Sequence, residues 1–413
     1  MKILMLGRSL PLTRRGGKAT REQRFARHLA RSHRLTLAFV TDDPNPVGAV
    51  SALREEFGDL EFAVVPRGWK TLASAVSLAT GDSCTLAYAR SSALATRLRD
   101  RVRSESYDLI YVSSSSMIQY ALEADPAVPV VMDLGDVDSR WWSRQARERS
   151  FPGANFYRTE AARLRLAEEA IARRASRCIV SSPHAARAVE LGDGPAPVVI
   201  RNGVDVDYFI PALRLPAAPA VLFLSPLESD RQVAAAAEFC RTVVPAVRRR
   251  LPAARFLVVG GELAPSAEGL ARMEGVEVAS AIGDIRPFLH RATLGVAPLA
   301  ADGELQMGIL EAMCSGLPVI STTEATDGLG VRAGRDLLVE DAPAGYAARV
   351  TELLASASLR AELGGQGAAF VRANYSWDVV VGQLAQTLDS AVPGAGLRGN
   401  GGVVSRVARA DFA

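Results

Sequence analysis

The segment "LGVAPLAADGELQMGILEAMCSGLPVIS" (294–321) determines the fold that we expect. Apolar strands are predicted at 294–298 and 317–321, with a helix at 308–315 between them. Parallel strands need a crossover connection of this kind, and a parallel sheet covered on both faces gives continuous apolar strands. The segment therefore predicts a parallel α/β unit.

The same alternation extends along the whole chain. Apolar segments predicted as strands are 2–6, 35–40, 61–65, 108–112, 129–133, 177–181, 197–201, 220–224, 255–260, 276–279, 294–298, 317–321 and 336–339. Amphipathic segments between them predict helices at 20–32, 158–175, 232–250 and 344–356. Thirteen strands are too many for one compact doubly wound sheet, so we predict two parallel-sheet domains.

The borders of these domains follow from composition. The stretch 201–220 is polar and then rich in Pro and Ala, as linkers are. We predict a first domain at 1–204, a linker at 205–219, a second domain at 220–374, a late amphipathic helix at 375–391 and a disordered Gly/Arg-rich tail at 392–413. Ligands of such sheets bind at the carboxyl ends of the strands, here facing a cleft between the domains.

Charge and cysteine content exclude several classes of protein. The net charge of the 413 residues is only +3, which excludes a general nucleic-acid binder. Residues 1–201 carry 30 Lys+Arg against 22 Asp+Glu, which indicates either an anionic partner or simple scatter. The four cysteines lie far apart, so neither zinc nor a disulfide framework is predicted. Without a signal peptide or a run of about 18 apolar residues, a cytoplasmic location is expected.

A basic amphipathic helix is predicted near the N-terminus. The stretch 21–34 carries five arginines and two histidines beside Phe25 and Leu29. Such a helix suits peripheral contact with an anionic membrane, and a solvated basic face is the alternative.

Two loops of the first domain follow predicted strands. Gly16 and Gly17 would let backbone N–H groups approach an anion at a helix start, or form a tight turn. "MDLGDVDSRWW" (132–142) brings Asp136 and Asp138 to a strand end, where a carboxylate can act as a general base or bind a hydroxyl. Trp141 would stack on a sugar or fill a core. The DVD match to a metal-binding motif is weak, and no metal is expected.

Two loops of the second domain are candidates for the same reason. Arg231 would enter a helix at its N-terminal end, where it could meet a diphosphate or remain a surface charge. Gly303 and Gly308 would flank a loop before the helix 308–315, with Glu311 near the helix start. Glu311 would then either cap the helix or accept two hydrogen bonds from a vicinal diol such as a ribose.

Taken with these residues, the sequence resembles glycosyltransferase family 4, a retaining GT-B family, and most of all the exosortase-associated sugar transferases. The segments that carry the resemblance span residues 1–390: "RSLPLTRRGGKATREQRFARHLA", "MDLGDVDSRWW", "VVIRNGVDVDYF", "IRPFLHRATLGVAPLAADGELQMGILEAMCSGLPVIS" and "YSW". The family implies two Rossmann-like domains, the first binding the acceptor and the second a nucleotide-sugar. Its last helix crosses back to the first domain.

The resemblance also implies roles for single residues. Glu311 matches the second glutamate of an E-x7-E pair that holds the donor ribose, and Arg231 stands where many members have a diphosphate-binding lysine. The implied donor-binding set is Glu311, Glu304, Arg231, Gly303, Gly308, Ile309 and Leu310.

The sequence departs from the family pattern at several of these places. The first glutamate of the pair is replaced by Gly303, with Glu304 one residue late. Ser225-Pro226 replaces the expected Gly-Arg. The family's histidine near Gly135 is absent, so Asp136 or Asp138 would act on the acceptor.

The predicted function is transfer of a sugar, with retention, from a nucleotide-sugar to a lipid-linked or polysaccharide acceptor in cell-surface or exopolysaccharide synthesis. The nucleotide-sugar is a co-substrate, and no cofactor is expected. The alternatives are a catalytically degenerate GT-B protein that binds partners in polysaccharide assembly, and a nucleotide-sugar epimerase.

Overall fold

The computed structural model describes residues 1–8, 20–66, 68, 76–77, 80–147, 149–212, 218–224, 227–261, 263–280, 284–298 and 303–392, with only the backbone at 303–305. All structural statements concern these residues. Gly16, Gly17 and the tail at 393–413 lie outside them, as do Ser225 and Pro226.

Seven parallel strands form the first sheet, in the order β3-β2-β1-β4-β5-β6-β7. They are β1 (Lys2–Gly7), β2 (Arg34–Thr41), β3 (Asp59–Val64), β4 (Leu109–Val112), β5 (Val130–Gly135), β6 (Arg177–Val180) and β7 (Pro197–Val199). The central strands are buried along their length because helices cover both faces.

Six parallel strands form the second sheet, in the order β10-β9-β8-β11-β12-β13. They are β8 (Ala220–Leu224), β9 (Arg255–Gly260), β10 (Val276–Ser280), β11 (Leu294–Ala297), β12 (Val319–Ser321) and β13 (Leu338–Val339). All thirteen strands predicted from apolar runs are present, and the predicted fold of two Rossmann-like parallel-sheet domains is confirmed.

Helices connect the strands. In the first part of the chain they are α1 (Arg21–Ser32), α2 (Val47–Phe57), α3 (Cys84–Tyr88), α4 (Ser92–Ser104), α5 (Ile118–Leu122), α6 (Asp138–Arg147), α7 (Gly153–Arg174) and α8 (Pro183–Ala188). In the second they are α9 (Asp230–Arg248), α10 (Arg286–Arg291), α11 (Gly303–Cys314), α12 (Thr323–Thr326), α13 (Pro343–Ala355), α14 (Ala357–Tyr375) and α15 (Trp377–Ala391).

The last helix, α15, packs on the first sheet and on α1. Leu384 and Leu388 of α15 are fully buried in one core with Phe25 and Leu29 of α1. The apolar face of α1 is therefore covered by the protein itself. The interpretation of this helix as membrane-binding loses its physical basis, because insertion requires an exposed apolar face.

Residues that follow strands of both sheets meet each other. Arg201, after β7, donates from Nη2 to the carbonyl oxygen of Gly328 at 2.9 Å. Arg187 of α8 pairs with Asp327 at 2.8 Å. A Cβ on Gly328, whose φ is +78°, would lie 3.3 Å from Pro183. The carboxyl edges of the two sheets thus face each other.

The chain that connects the two sheets packs in part against the second domain. Val204 pairs as a β-bridge with Ser376, and Phe209 is buried in the core that contains β8 and β11. Gly203 lies against Trp377, so closely that a Cβ would come within 2.5 Å of the indole ring.

Among the described helices, none is long and apolar enough to cross a membrane.

Candidate active site

Each sheet has one point where the strand order reverses, and both points lie at the facing edges. In the first sheet β2 and β3 lie on one side of β1 and β4 to β7 lie on the other, so the order reverses between β1 and β4. In the second sheet the order reverses in the same way between β8 and β11. Crevices at such switch points bind ligands in doubly wound folds. The residues that follow these strands therefore define the candidate site.

Asp133, at the end of β5, is held by its own protein contacts. Its carboxylate accepts hydrogen bonds from Arg21 Nε at 3.0 Å, the Tyr111 hydroxyl at 2.7 Å and the Gly135 amide at 3.0 Å. Burial and the charge of Asp133 raise the pKa of Tyr111 well above its usual value. Because its oxygens are occupied, Asp133 positions Arg21 at the edge of the sheet and is not available as a base.

Asp136 and Asp138 face different surroundings. Asp136 is exposed and accepts a hydrogen bond from Ser181. Asp138 begins α6 and is half-buried; burial raises its pKa, the charge of Asp136 adds to the rise, and Arg8 and Ser115 oppose it. Its partial burial and raised pKa make Asp138 the candidate proton acceptor at this edge of the sheet. Among the described residues, no three His, Cys, Asp or Glu side chains converge as metal ligands.

Glu22 at the start of α1 was not recognised from the sequence. Its Oε1 atom is buried without a hydrogen bond, and a Cβ on Gly7 would come within 1.9 Å of that oxygen. Burial raises the pKa of Glu22 to about 7, although Ser113 and Arg8 oppose the shift. Its place in the first helix after β1, at the switch point, is the sequence signal that would have identified it.

Trp141 lies on α6 close to Asp138. Its side chain is 44% exposed and meets Trp142 edge-on, with 5.2 Å between the ring centroids. Trp142 in turn packs on Tyr157 of α7. Trp141 therefore keeps an accessible ring surface, whereas Trp142 is held within an aromatic cluster.

In the second domain, Glu311 does not lie near a helix start. Helix α11 begins at Gly303, five residues before the predicted start, and Glu311 occupies its last turn. The shift arises because burial of Ile309, Leu310 and Met313 outweighs the roughly 1 kcal/mol that a glycine costs inside a helix. The capping interpretation is therefore wrong: the helix dipole disfavours a carboxylate in the last turn.

The burial of Glu311 adds to this cost. Its side chain is only 6% exposed, although carboxylates are rarely buried and lose hydration when they are. Gly308 lies one turn earlier on the same face of α11, and a Cβ there would meet no atom of the described residues within 4 Å. Packing does not explain this glycine, because open space adjoins the helix at that point.

The remaining candidates on α11 take different places. Ile309 and Leu310 are buried in the core of the second domain, on the side of the helix away from the open space at Gly308. Gly303 and Glu304 form its first turn rather than a loop. The predicted loop flanked by Gly303 and Gly308 is therefore wrong, since Gly308 is in mid-helix.

Arg231 is the second residue of α9, which follows β8 at the switch point. Its side chain is exposed and has no partner among the described residues. The helix start is closed by a capping box, in which Ser229 and Gln232 satisfy each other's backbone N–H groups. The guanidinium of Arg231 is therefore the group that α9 offers to an anion.

The comparison with family models decides the class of the second domain. Residues 218–356 match the model of the family described as Glycosyl transferases group 1. This match identifies residues 218–356 as a glycosyltransferase domain. The prediction of a glycosyltransferase is confirmed by this match together with the fold, whereas the exosortase-associated subtype stays a prediction. No curated protein sequence matches the chain.

Solved structures agree with this fold over almost the whole chain. The sucrose-phosphate synthase of Thermosynechococcus elongatus is 18% identical, with a TM-score of 0.60, covering 94% of this chain and 98% of that one. HepE of Anabaena, in complex with UDP and glucose, is 17% identical, with a TM-score of 0.60, covering 94% and 100%. TarM is 10% identical, with a TM-score of 0.62, covering 94% and 98%.

Proposed function

We propose that this glycosyltransferase moves a sugar, with retention of configuration, from a nucleotide-sugar bound by the second domain to an acceptor bound by the first. The acceptor is a lipid-linked or polysaccharide chain in cell-surface polysaccharide synthesis. The proposal for the donor is supported by HepE of the same fold, whose structures hold UDP, UDP and glucose, or UDP-glucose.

The observation that carries the proposal is that Glu311 and Gly308 lie on the same face of α11, three residues apart. A carboxylate with two acceptor oxygens suits the two hydroxyls of a ribose. Open space beside Gly308 allows the nucleotide to approach the backbone of α11, and any side chain at that position would fill it. A ribose diol at this point could donate one hydrogen bond to each oxygen of the Glu311 carboxylate.

The leaving diphosphate is assigned to Arg231. This guanidinium is exposed at the start of α9, next to the β8–β11 switch point. A planar guanidinium can bind two phosphate oxygens at once, and it stabilises the charge that develops when the glycosidic bond breaks. The family's other phosphate-binding arginine is absent here. One arginine can replace part of its contribution, because a guanidinium binds two phosphate oxygens where a lysine ammonium acts as a point charge.

The acceptor hydroxyl is assigned to Asp138, with Trp141 as a stacking surface for an acceptor sugar. Asp138 combines partial burial with a raised pKa, whereas the carboxylate of Asp136 is exposed and bonded to Ser181. Retention does not demand a strong protein base, so a carboxylate that orients the hydroxyl suffices in place of a histidine. A TarM variant from S. aureus, of the same fold, is complexed with fondaparinux and α-GlcNAc-glycerol as well as UDP.

A screen of nucleotide-sugars tests this function directly. The full-length protein is incubated with each nucleotide-sugar and with lipid-linked or oligosaccharide acceptors, and released nucleoside diphosphate is measured. We expect release that requires an acceptor, and that falls at least about 100-fold in Arg231→Gln, since charge-assisted contacts to the leaving group are lost. Arg249→Gln, an exposed arginine beyond the end of α9, is the control.

Other results of the screen would contradict the proposal. Conversion of the donor sugar without any acceptor would identify an epimerase. No turnover of any donor, together with no binding of UDP or GDP by folded protein, would identify a non-catalytic binding protein.

A further inference from the structure

A groove on the first domain lies outside the elements assigned above to the donor. It runs between α6 and α7, beside the residues that follow α8, and has a volume of about 380 Å³. That volume is within the range of small-ligand sites, roughly 300–1,000 Å³. Arginines line it from both helices: Arg140 and Arg147 from α6, and Arg158 and Arg165 from α7.

The spacing of these arginines places them face to face. Residues seven apart lie on one side of a helix, so Arg140 and Arg147 form one stripe, and Arg158 and Arg165 form another. Small residues between them, Ser143 on α6 and Ala161 and Ala162 on α7, leave the space open.

Three of the four guanidinium groups lack a carboxylate partner among the described residues. Arg140 contacts His184, with 3.0 Å from its Nη2 to the Nε2 of the imidazole. Arg158 donates to the side-chain oxygen of Asn155 at 3.3 Å. In the described part of the chain, Arg147 has no partner. Arg165 is neutralised, by Glu169 and by Glu190 at 2.9 Å.

The electrostatic effect of this arrangement is visible at Arg140. Burial lowers its pKa, and repulsion by Arg144 and Arg147 lowers it further. Elsewhere in the first domain, arginines are commonly satisfied by acids, as Arg101 is by Asp59, Glu61 and Glu105. The positive charge of the groove is therefore left for something outside the chain.

We propose that the groove between α6 and α7 binds a phosphate-bearing anion of about diphosphate size. Guanidinium groups that converge from two helices match the geometry of phosphate oxygens and bind them bidentately. The ligand's phosphates can belong to a soluble metabolite or to a lipid headgroup, and the chemistry of the site is the same for both.

The groove also adjoins the candidate acceptor edge. Ser139 and Glu168 line its inner end, and Ser139 is the residue after Asp138. Glu168 accepts hydrogen bonds from the Ser139 amide at 3.2 Å and the Ser115 hydroxyl at 3.0 Å. If the proposed function holds, the phosphates of a lipid-linked acceptor bound here would place its sugar near Asp138.

Calorimetric titration with pyrophosphate tests the groove, with the donor site saturated by UDP. We expect binding that is weakened at least about tenfold in Arg147→Gln and in Arg140→Gln, since each loses a charge-assisted contact. Arg147 is exposed and makes no hydrogen bond or ion pair with the described residues, so its loss does not threaten the fold. The control is Arg103→Gln on α4, an exposed arginine outside the groove.

A second arm distinguishes the source of the phosphate. The same variants are tested for flotation with vesicles that contain phosphatidic acid. Flotation that depends on Arg147 would identify a lipid headgroup, and pyrophosphate binding alone would identify a soluble ligand; both support the site.

Two outcomes would overturn the site. They are no pyrophosphate binding, and equal weakening by the control variant; flotation that is independent of Arg147 would overturn a lipid headgroup as the ligand of the groove. If UDP itself fails to bind, the proposed function fails, but the same variants titrated with pyrophosphate alone still decide the groove.

Discussion

Glu168 is the residue whose environment has the clearest consequence for stability. Its carboxyl group is 1% exposed inside the packing of α7 against α6, with hydrogen bonds from Ser139 and Ser115. Burial raises its pKa from 4.5 to about 7, and these hydrogen bonds offset only part of the effect. The folded protein therefore holds a proton on Glu168 that the unfolded chain releases at lower pH.

This proton sets the sign of a pH dependence. Below about pH 4.5 Glu168 is protonated in both states, and between 4.5 and about 7 only the folded state keeps the proton. The free energy of unfolding should therefore fall as pH rises through this window, by up to about 3 kcal/mol from this group. Glu22, with a pKa also raised to about 7, acts with the same sign.

Urea unfolding at several pH values measures this contribution. We predict that Glu168→Gln flattens the decline between pH 4.5 and 7, while Glu268→Gln, an exposed carboxylate in the second domain, leaves it unchanged. An identical decline in wild type and Glu168→Gln would show that Glu168 ionises normally in the folded protein.

These buried carboxyl groups show which single residues could not be predicted from the sequence. Asp136, Asp138 and Arg231 were identified because they follow predicted strands, a local feature. Glu168 acquires its raised pKa from packing between residues far apart in sequence, such as its contact with Ser115, so no local pattern marks it. The position of Glu22 after β1 is a local signal, but its burial against Gly7 is not.

At the scale of elements, α11 is the helix that most changes the interpretation. All thirteen strands could be predicted because a parallel strand covered on both faces is a continuous apolar run. The start of α11 could not be predicted, since a glycine such as Gly308 is typical of the end of a helix rather than of its interior. What distinguishes Gly308 is its place in the helix that follows β11 at the switch point, where open space beside the backbone leaves room for a ligand.

Gly308→Ala should therefore have two effects of opposite sign. The alanine should stabilise α11 by up to about 1 kcal/mol, because glycine is the poorer helix former and the new methyl group meets no atom of the described part of the chain. The same methyl group would occupy the nucleotide's space and weaken UDP or GDP binding at least about tenfold. Urea unfolding and calorimetry on one preparation measure both.

Gly365 of α14 provides a matched control. It too lies inside a helix where an added Cβ would meet no atom of the described residues within 4 Å, but its position is exposed. Gly365→Ala should stabilise the protein by a similar amount without changing nucleotide affinity. Equal nucleotide affinity in wild type and Gly308→Ala would remove the role assigned to the open space.

At the scale of the whole molecule, the two sheets present their carboxyl edges to each other. Arg201 and Arg187 of the first domain contact Gly328 and Asp327 of the second. Helix α15 ties the end of the chain back onto α1. A donor held by α11 and α9 would therefore face an acceptor held at β1, β4 and β5.

The excess of positive charge in residues 1–201 can be located in the structure. The excess of arginine in residues 1–201 is partly cancelled by local ion pairs, such as those of Arg97 and Arg27. Guanidinium groups without a carboxylate partner in the described structure come together in the groove between α6 and α7. The sequence predicts the charge asymmetry, but only the packing of two helices brings its members together.

The central claim, that Glu311 holds the ribose of a nucleotide donor, is tested most directly by calorimetric titration of UDP and GDP into wild type and Glu311→Ala. We predict that wild type binds at least one of them and that the variant, checked for folding by thermal unfolding, loses about 100-fold in affinity, because two hydrogen bonds to a carboxylate disappear. Glu324→Gln, an exposed carboxylate on the neighbouring α12, should bind as wild type does. Unchanged affinity in a folded Glu311→Ala protein would contradict the claim, as would the absence of any nucleotide binding by wild type.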